Sequence, residues 1–261
     1  MKIALGLEYC GSAYSGWQRQ KHSSSIQQCV ESALSTVADQ EITVQCAGRT
    51  DTGVHAFHQV IHFETGNDRE MHSWVLGGNT HLPEDISILW ARQVNDEFHA
   101  RFSATGRSYL YVILNRISRP GLLNKKVTWE HRLLDADRMQ TASESLVGEH
   151  DFTSYRAVEC QANSPVRTVR YISVTRKGEY VLIKIEANAF LHHMVRNIAG
   201  VLIQTGKGKA PVEWAGQVLE ARDRTAGGVT APADGLYLYN VVYPDRFGIP
   251  LYDDQNCPFT K

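Results

Sequence analysis

The chain has 261 residues, 43% hydrophobic and 21% charged, with a formal net charge of -1 at pH 7. That length and apolar content suit one large domain or two closely packed halves and exclude a disordered chain. Met1 to Gly6 lacks the long apolar stretch of a signal peptide, and no run of about 18 apolar residues could span a bilayer. The five cysteines are scattered, odd in number and without a Cys-x-x-Cys pair, which predicts reduced thiols in a cytoplasmic protein.

Near-neutrality hides an uneven distribution. Residues 1–103 carry 7 Lys and Arg against 12 Asp and Glu, whereas residues 104–261 carry 20 against 16. Within the second part and its approach, Phe98 to Arg132 holds seven basic residues against one acid, Glu130. Such a local excess can contact a phosphate backbone or simply form a solvated basic face.

In chain order, residues 3–9 read as an opening strand and Gly11 to Gln20 as a loop with aromatics, in which Trp17 is expected to be a core residue. Ser25 with Gln28 forms a capping box that opens a helix burying Ile26, Val30, Ala33, Leu34 and Val37. The β-branched Ile42 to Cys46 reads as a strand, and so does His58 to Thr65, by its period of two. Between them lies Ala47 to Ala56, which packs an arginine, an acid, a histidine and two glycines into one tight connection. Asp51 sits at its tip. It can be a turn residue that bonds its own backbone. Alternatively, held by Arg49, it can present a carboxylate oxygen as a nucleophile or base.

A helix around residues 70–79 with Trp74 inward is broken by Leu82-Pro83, and residues 86–94 follow as a strand. Gly106 to Asn115 alternates strictly, with Tyr109, Tyr111 and Ile113 on one face. Asp135 to Val147 is a third helix, Gln161 to Pro165 a polar loop, and Arg167 to Ala187 a hairpin turning at Lys177-Gly178-Glu179. Phe190 to Gly206 reads as a helix whose apolar stripe flanks Arg196, so that this cation needs an anionic partner. Val212 to Arg222 is a further helix, Leu236 to Tyr243 a final strand, and residues 246–261 a loose tail. The expected division is 1–103, 104–245 and the tail.

His55, His58, His62 and the pair His192-His193 also allow a zinc reading. It is weak, because His55 need not share a face with the other two and no cysteine accompanies them. There is no P-loop, no Rossmann glycine pattern and no Gly-x-Ser-x-Gly elbow.

The run Gly48-Arg49-Thr50-Asp51-Thr52-Gly53-Val54-His55-Ala56 resembles the active-site motif of the tRNA pseudouridine synthase I family, which modifies the anticodon arm. Gly16-Trp17-Gln18, Phe98 to Phe102, Gly148 to Phe152, Phe190 to Gly200 and Gly235 to Leu238 resemble further segments of that family, from about Tyr9 to Tyr243. Cys10 departs from it, standing where an acid is usual, which weakens any structural hydrogen bond expected from that position.

The resemblance implies an α+β fold of two ferredoxin-like halves forming a mixed, mainly antiparallel sheet with a central cleft. It implies conversion of uridine to pseudouridine at tRNA positions 38, 39 and 40, with Asp51 as the nucleophile paired with Arg196. Attack at C1', elimination begun by Asp51 acting as base, and attack at C6 of the uracil stay open. Tyr109 would stack on the target base and Leu236 would lie against it. Arg49, Phe98, His99, Ala100, Arg101, Phe102 and the loop Gln161, Ala162, Asn163, Ser164 and Pro165 would contact tRNA. The implied assembly is a homodimer, and the isomerisation needs no cofactor or metal. The rival readings are a binding module with dead chemistry and a nucleoside hydrolase working on a small substrate.

Overall fold

In a computed structural model, which describes residues 1–260, the chain is an α+β protein. It divides into two compact units: Met1–Thr105 with Tyr237–Tyr252, and Gly106–Leu236 with the segment from Asp253. The expected boundaries at 103/104 and 245/246 therefore differ from the observed grouping. The last strand joins the N-terminal unit, and the final segment divides after Tyr252. A strand that pairs with one some 180 positions earlier leaves no local trace in the sequence.

The first unit runs β1 (Lys2–Tyr9), α1 (Ile26–Ala38), β2 (Gln45–Cys46), β3 (His55–Glu64), α2 (Met71–His81) and β4 (Ile86–Val94). This is the βαββαβ order of a ferredoxin-like half. Strand β1 lies antiparallel between β4 and β3, and β2 pairs with β3. Strand β10 (Leu236–Val242) runs parallel to β3, with Tyr237 opposite His55 and Leu238 opposite Ala56. Strand β3 is buried along almost its whole length, so its alternation separates two inner faces rather than an inner and an outer one.

Helix α1 starts where the sequence places it. Ser25 caps it by accepting from the Gln28 N–H at 3.4 Å, and Ile26, Val30, Ala33 and Leu34 are buried. The expected strand at Ile42 to Cys46 shrinks to Gln45–Cys46, because the backbone before it bonds to side chains of α1 instead. The Ile42 N–H donates to Ser35 Oγ at 2.9 Å, and the Val44 N–H donates to the buried Glu31 carboxylate at 3.0 Å.

The second unit contains β5 (Gly106–Asn115), β6 (Thr128–Glu130), α3 (Ala136–Glu144), β7 (Gly148–Asp151), β8 (Val166–Lys177), β9 (Tyr180–Ala187), α4 (Met194–Gly206) and α5 (Trp214–Ala221). Its strands neighbour in the order β5, β9, β8, β7, all antiparallel, with β6 parallel to β5. The β8–β9 hairpin turns at Gly178, whose φ is +55°. Helices α3 and α4 meet closely at Gly206, where a Cβ would lie 2.6 Å from Met139 Sδ.

Three helices are shorter than their sequence patterns. Asp135 is the N-cap of α3, accepting from the Arg138 N–H at 3.0 Å, and that helix ends at Glu144. Helix α4 starts at Met194, not Phe190, because His193 adopts a left-handed φ of +61° that interrupts a right-handed helix. Arg222, at φ +49°, likewise closes α5.

The segment expected to be a loose tail is packed. Phe247, Cys257 and Phe259 are buried, the Phe259 ring meets Tyr180 edge-on at 5.6 Å, and Asp254 pairs with Lys184 at 2.8 Å. Single apolar anchors so widely spaced carry no periodicity to read. Among the described residues no helix is long and apolar enough to cross a membrane.

Candidate active site

Residues 47–55 form a loop fixed at nearly every step by its own unit. Gly48 is held on both sides by the buried Gln59, whose Nε2 donates to the Gly48 carbonyl at 2.5 Å and whose Oε1 accepts from the Gly48 N–H at 3.3 Å. Thr50 is gripped twice: its hydroxyl lies 2.8 Å from the Tyr9 hydroxyl, and its carbonyl accepts from the Trp17 N–H at 2.9 Å. The Val54 N–H donates to the Asp51 carbonyl at 3.1 Å, closing a turn in which Gly53 supplies a φ of +79°. At the far end, His55 Nδ1 accepts from the Gly11 N–H at 3.1 Å.

Segment 9–17 thus forms a cradle for the loop, and its two glycines are needed for contact. A Cβ at Gly11 would lie 2.0 Å from the Val54 carbonyl oxygen, and one at Gly16, which has φ +88°, would lie 2.7 Å from the Thr50 carbonyl oxygen. Trp17 is buried under the loop, as the composition of segment 11–20 predicts. Asp51 remains half-exposed at the tip. Arg49 is exposed and makes no ion pair with Asp51, so the expectation that it holds the carboxylate is not met. Its charge bears instead on the Cys46 thiol. With Gly48 clamped by Gln59, the next side chain points outward.

Cys10 retains a hydrogen-bonding role despite standing where an acid is usual. Its thiol bonds His55 and lies 3.4 Å from Ser12 Oγ, and it is lowered to about 6, chiefly by the His55 hydrogen bond and against the opposing effect of burial.

The three histidines of β3 are structural acceptors. His58 Nε2 accepts from the Trp90 indole N–H at 3.1 Å, and His62 Nδ1 accepts from the Ala100 N–H at 3.1 Å, just as His55 holds Gly11. Each of these three imidazoles uses a ring lone pair on a neighbouring segment.

The segment 98–102 divides in two. Phe98 and Ala100 are fully buried, Phe98 against Tyr243 and Phe247, and the Ala100 carbonyl accepts from the Tyr243 hydroxyl at 2.6 Å. Arg101 and Phe102 face outward, with the guanidinium 5.5 Å from the Phe102 ring centre and His99 beside it. Of the segment expected to touch tRNA, these three residues have surface to offer.

The second unit carries the other expected residues. Tyr109 is half-buried and meets Phe190 edge-on at 5.0 Å. Leu236 is buried at the start of β10. Arg196, half-buried in the first turn of α4, donates from Nε to the Ala231 carbonyl at 2.8 Å. Gln161, Asn163 and Ser164 are exposed on a loop ahead of β8, with Ala162 and Pro165 half-buried. Sequence reasoning missed Tyr9, Gln59 and Asn197. The available signal was a polar residue inside an apolar stretch, as Gln59 is in β3 and Asn197 in α4.

A carboxylate raised on a pinned, glycine-bracketed turn is compatible with carboxylate chemistry on an α+β scaffold. Known proteins agree. The profile of the tRNA pseudouridine synthase family matches residues 7–103 and 142–244. Proteins named tRNA pseudouridine synthase A are similar along nearly the whole chain. The one from Nitrosococcus oceani is 58% identical over 250 residues, 96% of each chain. That from Legionella pneumophila is 56% identical over 249 residues, 95% of each, and that from Shewanella amazonensis 54% over 250 residues, 96% of each. The chain belongs to the tRNA pseudouridine synthase family and is an isomerase.

Proposed function

We propose that this chain converts uridine to pseudouridine at positions 38, 39 and 40 in the anticodon arm of tRNA, with Asp51 as the nucleophile. The observation that carries the reading is the fixed loop around Asp51, held at Gly48, Thr50 and His55 by Gln59, Tyr9 and Gly11. A carboxylate so held reaches its target without reorganising at the moment of reaction. In the C1' route, the Asp51 oxygen bonds to C1' as the N1 to C1' bond breaks. The uracil anion turns, and its C5 displaces the carboxylate. Loss of the C5 proton and protonation of N1 complete an isomerisation without redox change. No cofactor is required. Elimination begun by Asp51 acting as base draws on the same group.

Arg196 is assigned as the cationic partner of the reacting carboxylate, on the strength of the resemblance around Phe190 to Gly200. Tyr109 would stack on the extruded base and Leu236 would lie against it. Arg49, His99, Arg101, Phe102 and the loop 161–165 are the RNA contacts this reading uses, in a cytoplasmic homodimer whose basic regions converge on one tRNA. Sedimentation checks the assembly, since a fully active monomer would remove it.

The test of the activity is to incubate the protein with unmodified tRNA transcripts and map pseudouridine chemically, beside Asp51→Asn checked for fold by circular dichroism. Product at 38 to 40 that vanishes in the folded variant supports the reading. Bound tRNA without product would favour a binding module, and released uracil a hydrolase.

A further inference from the structure

We infer that Arg224 is a positioning residue for the reaction, holding in place the loop whose carbonyl orients Arg196. The inference rests on the role proposed above for Arg196. Residue 231 and Arg196 are joined twice: Arg196 Nε donates to the Ala231 carbonyl at 2.8 Å, and the Ala231 N–H donates to the Arg196 carbonyl at 3.1 Å. The position of residues 228–232 therefore bears directly on the direction of the guanidinium.

The apolar anchorage of that loop is limited to the small Ala231 side chain, which is buried, while Val229 is 81% exposed. What ties it down is a polar network centred on Arg224. Its Nη1 donates to the Gly228 carbonyl at 3.1 Å, and its Nη2 donates to Thr230 Oγ1 and to Asn197 Oδ1, both at 3.0 Å. The Thr230 hydroxyl donates to the same Asn197 oxygen at 2.7 Å. Asn197 follows Arg196 in α4, is buried, and donates from Nδ2 to the Tyr155 carbonyl at 2.7 Å. One planar guanidinium thus reaches three acceptors on the loop and the helix, a geometry that a single ammonium does not reproduce.

The loop also lies directly on α4. A Cβ at Gly200 would sit 2.1 Å from the Val229 carbonyl oxygen, and the Tyr111 hydroxyl donates to the Pro232 carbonyl at 2.9 Å. Helix α4 keeps its own apolar stripe, Met194, Val195, Ile198 and Leu202, whether or not Arg224 is present. Removing the guanidinium therefore releases the loop and lets Ala231 drift from Arg196 while the fold persists.

The experiment measures single-turnover pseudouridine formation and tRNA affinity for wild type, Arg224→Ala, Arg224→Lys, Arg196→Lys and the double variant Arg224→Ala/Arg196→Lys. Arg224→Ala is expected to slow the chemical step by about 10- to 100-fold with tRNA affinity changed by less than about threefold, and Arg224→Lys to recover part of the rate. In the Arg196→Lys background the further loss is expected to be less than about threefold, because both changes remove one arrangement. An unchanged rate in Arg224→Ala, or an equal loss in both backgrounds, overturns the inference and leaves Arg196 in place. An unchanged rate in Arg196→Lys removes the role of Arg196 itself, and that of Arg224 with it.

Discussion

The Tyr9 hydroxyl, at the end of the first strand, lies 2.8 Å from Thr50 Oγ1, one residue before the candidate nucleophile. Both side chains are buried, so this bond replaces water for each of them. Tyr9→Phe keeps the ring and leaves the Thr50 hydroxyl without this partner, a loss of about 1–2 kcal/mol. The expected outcome is a lower urea midpoint together with a fall in single-turnover rate that exceeds any fall in tRNA affinity. Wild-type values for both quantities would mean that the bond does not hold the loop.

Glycines 16 and 178 provide a matched comparison. Both have positive φ, +88° and +55°, but a Cβ at Gly16 would lie 2.7 Å from the Thr50 carbonyl oxygen, while at Gly178 nothing lies within 4 Å. Alanine at 178 bears the left-handed strain alone, about 1 kcal/mol. Alanine at 16 adds a backbone clash beside Asp51, so Gly16→Ala is expected to be the less stable variant and to lose most of its activity. Gly178→Ala should keep its activity. Equal effects in a urea titration and a turnover assay would refute the steric account.

Much of this arrangement is written locally in the chain. The Ser25 cap, the stripe of α1, the Gly178 hairpin and the glycine-bracketed loop each depend on neighbours in sequence, which is where propensity and periodicity operate. The failures share a cause. Ile42 to Val44 has strand composition, but its N–H groups are taken by Ser35 and Glu31. Phe190 to His193 continues the apolar pattern of α4, but His193 turns left-handed. Arg49 lies two residues from Asp51, but Gln59 fixes the backbone just before it, at Gly48, and its side chain faces outward. In each case a long-range hydrogen bond or a single dihedral angle overrode a sound local signal. The contact roles of Phe98 and Ala100 were illegible for the same reason, since their burial depends on Tyr243 and Phe247, some 145 residues away.

Cys10 is expected to be the thiol that reacts ahead of Cys29 and Cys46. The His55 hydrogen bond lowers it to about 6, whereas burial raises Cys29 and raises Cys46 to about 12. The thiolate is the form that displaces iodide from iodoacetamide. At pH 7, peptide mapping should find carbamidomethylation at Cys10 before the other two, with a rate that falls by half near pH 6. His55→Gln should move that midpoint upward. Labelling of Cys46 first would contradict the assignment.

The histidines of β3 make acid stability a readout of the packing that holds the site. His58 and His62 are each lowered to about 4, in both cases mainly by burial, with the His99 ring and Lys2 also opposing charge on His62. Their folded values lie below the ordinary value of about 6.5, so between about pH 6.5 and pH 4 the unfolded chain binds more protons than the folded one. Their contribution to stability is therefore complete above about pH 6.5 and is lost as pH falls toward 4. At pH 5 it amounts to a loss on the order of 2 kcal/mol for each group relative to pH 7. Replacement by a neutral acceptor separates titration from hydrogen bonding. Glutamine places an oxygen near the Nε2 that His58 offers to Trp90, and asparagine places one near the Nδ1 that His62 offers to Ala100. The urea midpoint of His58→Gln and His62→Asn should be lower than wild type at pH 7 but should change less between pH 7 and pH 5. If the variants lose stability over that range as steeply as wild type, other groups set the acid limit, and the two rings are not held neutral by the fold.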